Sequence, residues 1–193
     1  MSLPYDGEIV SYNVPQRYLG ARDNPIFLDK DMETGGQGIQ NPSSGLTVQP
    51  WTTVISEDKT QIITSAPLVS DTVLYTGSNI TEVSLTFDQL MNPTFCFVEE
   101  GSTKLRWYDT SAGQMVTTDY GTTYISPKVS LDDKFDNTGI NDVIFAYIRD
   151  NILYYRLQRD RYEIEYQVSS SPVRRIQKIG MTAGYRFQFL CLV

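Results

Sequence analysis

The chain contains no histidine. That absence removes the side chain most often used as a general base near neutral pH. It also excludes Ser-His-Asp and Cys-His nucleophilic sites. Cysteine is scarce. Cys96 and Cys191 each sit in an apolar strand pattern, F-C-F and L-C-L. Two cysteines without histidine cannot build the usual zinc site, so no metal is expected. The pattern reads as buried free thiols in a reducing cytoplasm. Long hydrophobic runs are missing too. No stretch approaches the roughly 20 apolar residues of a membrane helix, and the N-terminus lacks the basic and apolar regions of a signal peptide. No membrane partner is expected. Basic residues are outnumbered, with a net charge of −7. Nucleic acid is therefore not expected as the main partner, because a simple nucleic-acid binder is usually basic. Helical apolar periodicity is absent as well.

Strand formers fill the space these absences leave. The chain holds 13 Tyr and 8 Phe among many Val, Ile and Thr residues, which suits pleated, half-buried surfaces. Short strands are expected at 51–55, 61–64, 72–76, 82–87, 94–98, 104–108 and 114–118, then at 128–131, 143–149, 152–156, 162–168, 174–179 and 185–192. Asp150-Asn151 lies between two apolar runs and signals a type I′ hairpin. Glu100-Gly101-Ser102 stands at the matching place with a longer loop.

Two stretches repeat each other, about 82–118 and 128–168. Val83 matches Val129 in V-S-L, F-C-F-V matches F-A-Y-I, and Trp107 matches Tyr154. Four antiparallel strands per unit is blade geometry. Residues 172–193 resemble a partial third unit. Its outer strands would come from the strands between Trp51 and Thr76 or from a neighbouring copy. The fold class is therefore all-β: repeated four-stranded antiparallel blade-like sheets, propeller-like or sandwich, with an extended N-terminal arm. The domain spans 51–193.

The arm is residues 1–50, which hold five of the nine prolines and six of the thirteen glycines. Both residue types oppose a sheet core. Tyr5, Tyr12, Tyr18 and Phe27 are spaced along it as anchors for a neighbouring subunit. At the other end, residues 151–193 carry seven bases against three acids. Arg156, Arg159, Arg161, Arg174 and Arg175 are the interface candidates there. Acidic side meeting basic side suits a head-to-tail ring of identical copies.

An enzyme would need carboxylates, as in glycoside hydrolysis, where two Asp or Glu flank the scissile bond. Asp88, Asp132, Asp133 and Asp136 lie at corresponding blade edges. Acids just after a strand are turn formers first, so no catalytic residue, no cofactor and no enzyme activity is expected. The loop L-D-D-K-F-D-N-T-G lacks the ligand spacing and closing Glu of a calcium loop. T-G-G-Q-G lacks the lysine and the strand–helix setting of a phosphate cradle. Phe95, Phe97, Trp107, Phe145, Tyr147 and Tyr154 read as core between sheets. Tyr108 and Tyr155 alternate with them and read as surface, where they offer a carbohydrate-binding alternative.

Several motifs then combine: V-S-L-(T/D)-(F/D), F-x-(F/Y)-(V/I), K-L-R-W-Y-D or I-L-Y-Y-R, Q-R-D-R-Y, and the closing I-G-M-T-A-G-Y-R-F-Q-F. Together they resemble the small virion proteins of short-tailed bacteriophages and prophages. The resemblance covers about residues 80–190, with F-L-D-K-D in the arm. It implies a structural virion component in the tail or head-to-tail connection (an adaptor, hub or nozzle), made in the host bacterial cytoplasm. Its implied partners are its own copies and other virion proteins, such as tail, portal or adaptor subunits. Capsid decoration is the rival role within the same class.

Overall fold

A computed structural model describes residues 9–15, 35–40, 47–66, 69–88, 90, 92–131, 142–181 and 186–193. Among them the chain is all-β, and its one helical turn is a 3-10 turn at Gln158–Asp160. Strand β1 is Ile9–Pro15. Sheet I follows as β2 (Gly35–Gln40), β3 (Thr47–Ile55), β4 (Gln61–Ala66) and β5 (Val69–Thr76). Sheet II is β6 (Ile80–Phe87), β7 (Pro93–Glu99), β8 (Ser102–Asp109) and β9 (Gln114–Gly121). Sheet III is β10 (Ile125–Leu131), β11 (Val143–Arg149), β12 (Ile152–Leu157) and β13 (Tyr166–Gln167). Sheet IV joins β14 (Arg175–Met181) and β15 (Arg186–Leu192) to β1, in the order β1-β15-β14. Every pairing is antiparallel, and sheets I to III are simple meanders.

Two strands thus lie inside the segment expected to be an arm. β2 pairs with β3, and β1 pairs with β15 through seven residues. Proline does not prevent this: Pro15 ends β1, and Pro50 lies in the part of β3 that β4 does not reach, since β3–β4 pairing begins at Thr52. Sheet I therefore starts at Gly35, and its strand β3 at Thr47, rather than at residue 51. The partial third unit gains its third strand from the N-terminus of the same chain. The strands between Trp51 and Thr76 do not complete it, because they form a sheet of their own.

The leading strands meet in succession: β2 touches β6, β6 touches β10, and β10 touches β14. Sheets II and III each have a sheet on either side, so their first two strands bury nearly every residue, while β8 and β12 bury alternate ones and β9 buries none. Val143 to Ile148 are all buried. Alternation divides such a strand between two cores. Phe95 and Phe97 face sheet I, while Cys96 faces sheet III. Phe145 and Tyr147 face sheet II, while Ile144, Ala146 and Ile148 face sheet IV. This corrects the placement of Tyr155 on the surface. It is 7% exposed and stacks on Tyr166 at 5.0 Å. Sheet IV covers the face on which Tyr155 lies, with Phe189 6.0 Å away ring to ring.

The two central hairpins show the true register of the repeat. Glu99 pairs with Ser102 around Glu100-Gly101, and Arg149 pairs with Ile152 around Asp150-Asn151. All four turn residues have positive φ, at 52°, 81°, 53° and 61°. Both are type I′ turns, whose twist matches that of the flanking strands. The first hairpin therefore has no longer loop. Counted from the turns, Arg106 corresponds to Arg156, and Trp107 to Leu157. The sequence match of Trp107 with Tyr154 is out by an odd number of residues, which exchanges faces. Trp107 projects from sheet II toward sheet III, and Tyr154 from sheet III toward sheet II.

The expected strand at 162–168 shrinks to Tyr166–Gln167. Arg161 and Tyr162 adopt left-handed backbone at φ 53° and 59°. The chain leaves the sheet so that Tyr162 fills the space between sheets II and III, edge-on to Trp107 at 5.1 Å. Burial of that ring explains the departure from strand geometry.

Candidate functional site

The sheets are joined by contacts that recur from one pair to the next. A serine on each of two leading strands bonds the backbone of the next leading strand. Ser84 Oγ accepts the Val129 N–H at 3.1 Å, and Ser126 Oγ accepts the Ile176 N–H at 2.9 Å. Both serines are buried. Ser126 sits in a bulge beside Pro127 with φ 54°, which turns its hydroxyl toward sheet IV. Ser130, the sequence match of Ser84, bonds only the neighbouring Leu131 carbonyl.

Arginine on tyrosine is the second recurring contact. Arg106 of sheet II lies over the Tyr75 ring of sheet I at 6.0 Å, and Arg156 of sheet III lies over Tyr120 of sheet II at 5.2 Å. The two arginines are the register equivalents named above. Around Arg156 the contact grows into a network. Its Nε donates to the Tyr147 hydroxyl at 2.8 Å, and its Nη1 donates to the Tyr162 and Glu163 carbonyls. Arg149 grips both oxygens of Glu165, at 2.7 and 3.0 Å, and donates to the Tyr124 hydroxyl at 3.0 Å. Burial pushes the Tyr120 phenol up to about 12 and Tyr147 higher still. Guanidinium groups do not deprotonate in proteins. With the Tyr120 and Tyr147 phenols held neutral and the arginines charged, the network acts as a clamp between sheets.

The expected interface arginines divide as follows. Arg156 belongs to the clamp. Arg159 pairs with buried Asp142 at 2.6 Å. Arg161 pairs at 2.5 Å with Asp109, whose carboxylate also caps the turn after β8. Arg175 begins β14 and Arg174 leads into it, donating its N–H to the Leu192 carbonyl at 2.8 Å. Three of the five thus have their charge engaged within the chain. Tyr12 occupies the register position opposite Phe189. Tyr5, Tyr18 and Phe27 lie outside the described residues.

Of the carboxylates weighed for catalysis, Asp88 is a buried turn former. Its Oδ1 accepts the Leu90 and Asn92 N–H groups at 2.9 and 2.8 Å. Asp132, Asp133 and Asp136, with the rest of their loop, lie outside the described residues. Gly35, Gly36 and Gly38 are residues of β2. No cluster of three metal-ligating side chains occurs among the described residues. Cys96 and Cys191 are free and buried in different cores. Desolvation pushes the Cys191 thiol up to about 12 and Cys96 further, so both stay protonated. Tyr108 is half-buried.

The one extended apolar surface among the described residues was not singled out from the sequence. Val54, Ile63 and Val73 stand opposite one another across β3, β4 and β5. They lie on the face of sheet I that points away from sheet II. Val54 is 44% exposed and Val73 49%. The signal was present in W-T-T-V-I, where Val54 alternates with the inward Thr53 and Ile55. No protein family, curated protein or solved structure matches the chain.

Proposed function

We propose that this chain is a structural subunit of a tailed-phage virion, in the tail or the head-to-tail connection, that works through subunit–subunit contacts. Its sheets form a propeller-like series around their leading strands. The observation that carries the reading is the use of its side chains. Serine, arginine, tyrosine and carboxylate groups lock sheet to sheet, while one end of the series leaves an apolar row uncovered. Such a chain is built to stack and to be stacked upon. The motif resemblance over residues 80–190 points the same way. No described helix is long and apolar enough to cross a membrane. The proposed partners are identical copies and other virion proteins, met after synthesis in the host cytoplasm.

Purified particles provide the test. Mass spectrometry should find the chain at a constant copy number, and immunogold labelling should mark the tail vertex. Label spread over the capsid would move the role to decoration. Absence from intact particles would remove the virion reading.

A further inference from the structure

The interior of the chain shows what each sheet packs against. In sheets II, III and IV, the second strand is buried on the face turned toward the preceding sheet. Phe95 and Phe97 are at most 1% exposed, and Phe145, Tyr147 and Phe189 are 0% exposed. The equivalent face of sheet I carries the row Val54, Ile63 and Val73, with Asp71 beside it on the same face of β5. Sheet IV of the same chain leaves that row open, because Val54 and Val73 keep nearly half of their area exposed. At the far end of the series, sheet IV turns Phe189 and Ile179 toward sheet III. Its opposite face carries Leu190, paired across the strands with Lys178, and Gln188.

Resting on the reading of the chain as an assembling subunit, we propose that the open face of sheet I docks on the outer face of sheet IV of a second copy. Copies then join head to tail by the same sheet-on-sheet packing that builds each chain. Repetition is the first argument, since the second strand of every other described sheet is buried on this face by the sheet before it, whereas Val54 of β3 is not. Charge is the second. Described residues 47–76 carry Glu57, Asp58 and Asp71 against Lys59, whereas β14 and its lead-in carry Arg174, Arg175 and Lys178. An acidic end thus meets a basic one, and Asp71 comes to the side where Lys178 stands beside Leu190. Two different faces of one chain make a heterologous contact, which closes into a ring when the rotation per copy permits.

Cysteine cross-linking of the full-length chain tests the contact. Oxidising the double variant Val54→Cys, Leu190→Cys should give a ladder of multimers on a non-reducing gel. Mixing the two single variants should give a dimer and nothing larger. A cross-link confined to the monomer would mean that sheets I and IV close within one chain, and it would overturn the proposal. So would no cross-link at all, or a dimer from Val54→Cys alone. As a second measure, Val54→Asp with Val73→Asp should abolish multimers in sedimentation while leaving the thermal transition in place. Unchanged sedimentation would also overturn it. Immunoblots of purified particles separate the two readings. A chain present in particles but cross-linked only internally sinks the docking contact alone. A ladder from a chain absent from particles sinks the virion role alone.

Discussion

Single hydroxyls and carboxylates set the spacing between sheets. Ser84 and Ser126 each satisfy a backbone N–H that would otherwise be buried without a partner. Ser84→Ala and Ser126→Ala should therefore each cost about 1–3 kcal/mol in urea unfolding. Ser130→Ala should cost less, because its hydroxyl serves only the adjacent carbonyl. A reversed order would mean that the serine bridges do not hold the sheets. Glu99 plays a matching part between sheets I and II. Burial alone would raise its carboxyl, but Lys104, the Ser78 N–H and the Tyr75 hydroxyl outweigh burial and hold it below the usual range. Gly77 makes room for this group, since a Cβ there would lie 1.8 Å from Glu99 Oε1. The pH consequence follows from the depressed value. The unfolded chain takes up the proton first as pH falls, so the contribution is whole above the unfolded pKa and is lost as pH drops through the folded one. Urea midpoints should hold from pH 7 to about 5 and decline below about 4, and Glu99→Gln should flatten part of that decline. An equal decline in the variant would assign it to other carboxylates. None of these residues is marked by its sequence neighbourhood. Ser126 and Ser130 look alike on the page, and a bulge decides between them.

Hairpins and strand faces belong to the next scale. The turn Asp150-Asn151 was legible because few residue pairs accept two successive left-handed conformations. Glu100-Gly101 makes the same turn with a less suitable first residue, at φ 52°. Glu100→Asn should stabilise the chain by about 0.5–1 kcal/mol by relieving that strain, read as a raised urea midpoint. A lowered midpoint would show that the Ser78–Glu100 hydrogen bond outweighs the backbone. Ten strands between residues 47 and 157 fall where alternation and apolar runs put them, with small shifts at their ends. Strand β2 escaped because G-G-Q-G-I-Q carries almost no strand signal, whereas I-V-S-Y-N-V-P of β1 carries one that the proline and glycine around it obscured. Pairing with β3 supplies what local propensity does not. Tyr162 escaped for the opposite reason: its neighbourhood reads as strand, but a cavity between two sheets claims the ring.

Over the whole molecule, each sheet packs mainly on its neighbours in the series, so stability should be divisible. The two tryptophans report on different parts, Trp51 on the core between sheets I and II and Trp107 on that between II and III. Phe97→Ala should cost about 3–5 kcal/mol and release sheet I first. Single-tryptophan versions of that variant should then show Trp51 changing at lower urea than Trp107. Coincident transitions would mean that the sheets unfold as one unit. The sequence by itself determined the strand content, the tight turn at Asp150-Asn151, the repeated unit and the buried thiols. These follow from local patterns: period-two alternation, a turn residue pair, apolar flanks. Only the tertiary structure decided the register of the repeat, the completion of the last sheet by β1, the burial of Tyr155 and the pairing of Arg156, Arg159 and Arg161 within the chain. Each of these depends on which face meets which neighbour, and residues far apart in the chain settle that by packing. The same dependence leaves Val54, Ile63 and Val73 bare, because they are ordinary strand residues until no sheet arrives to cover them.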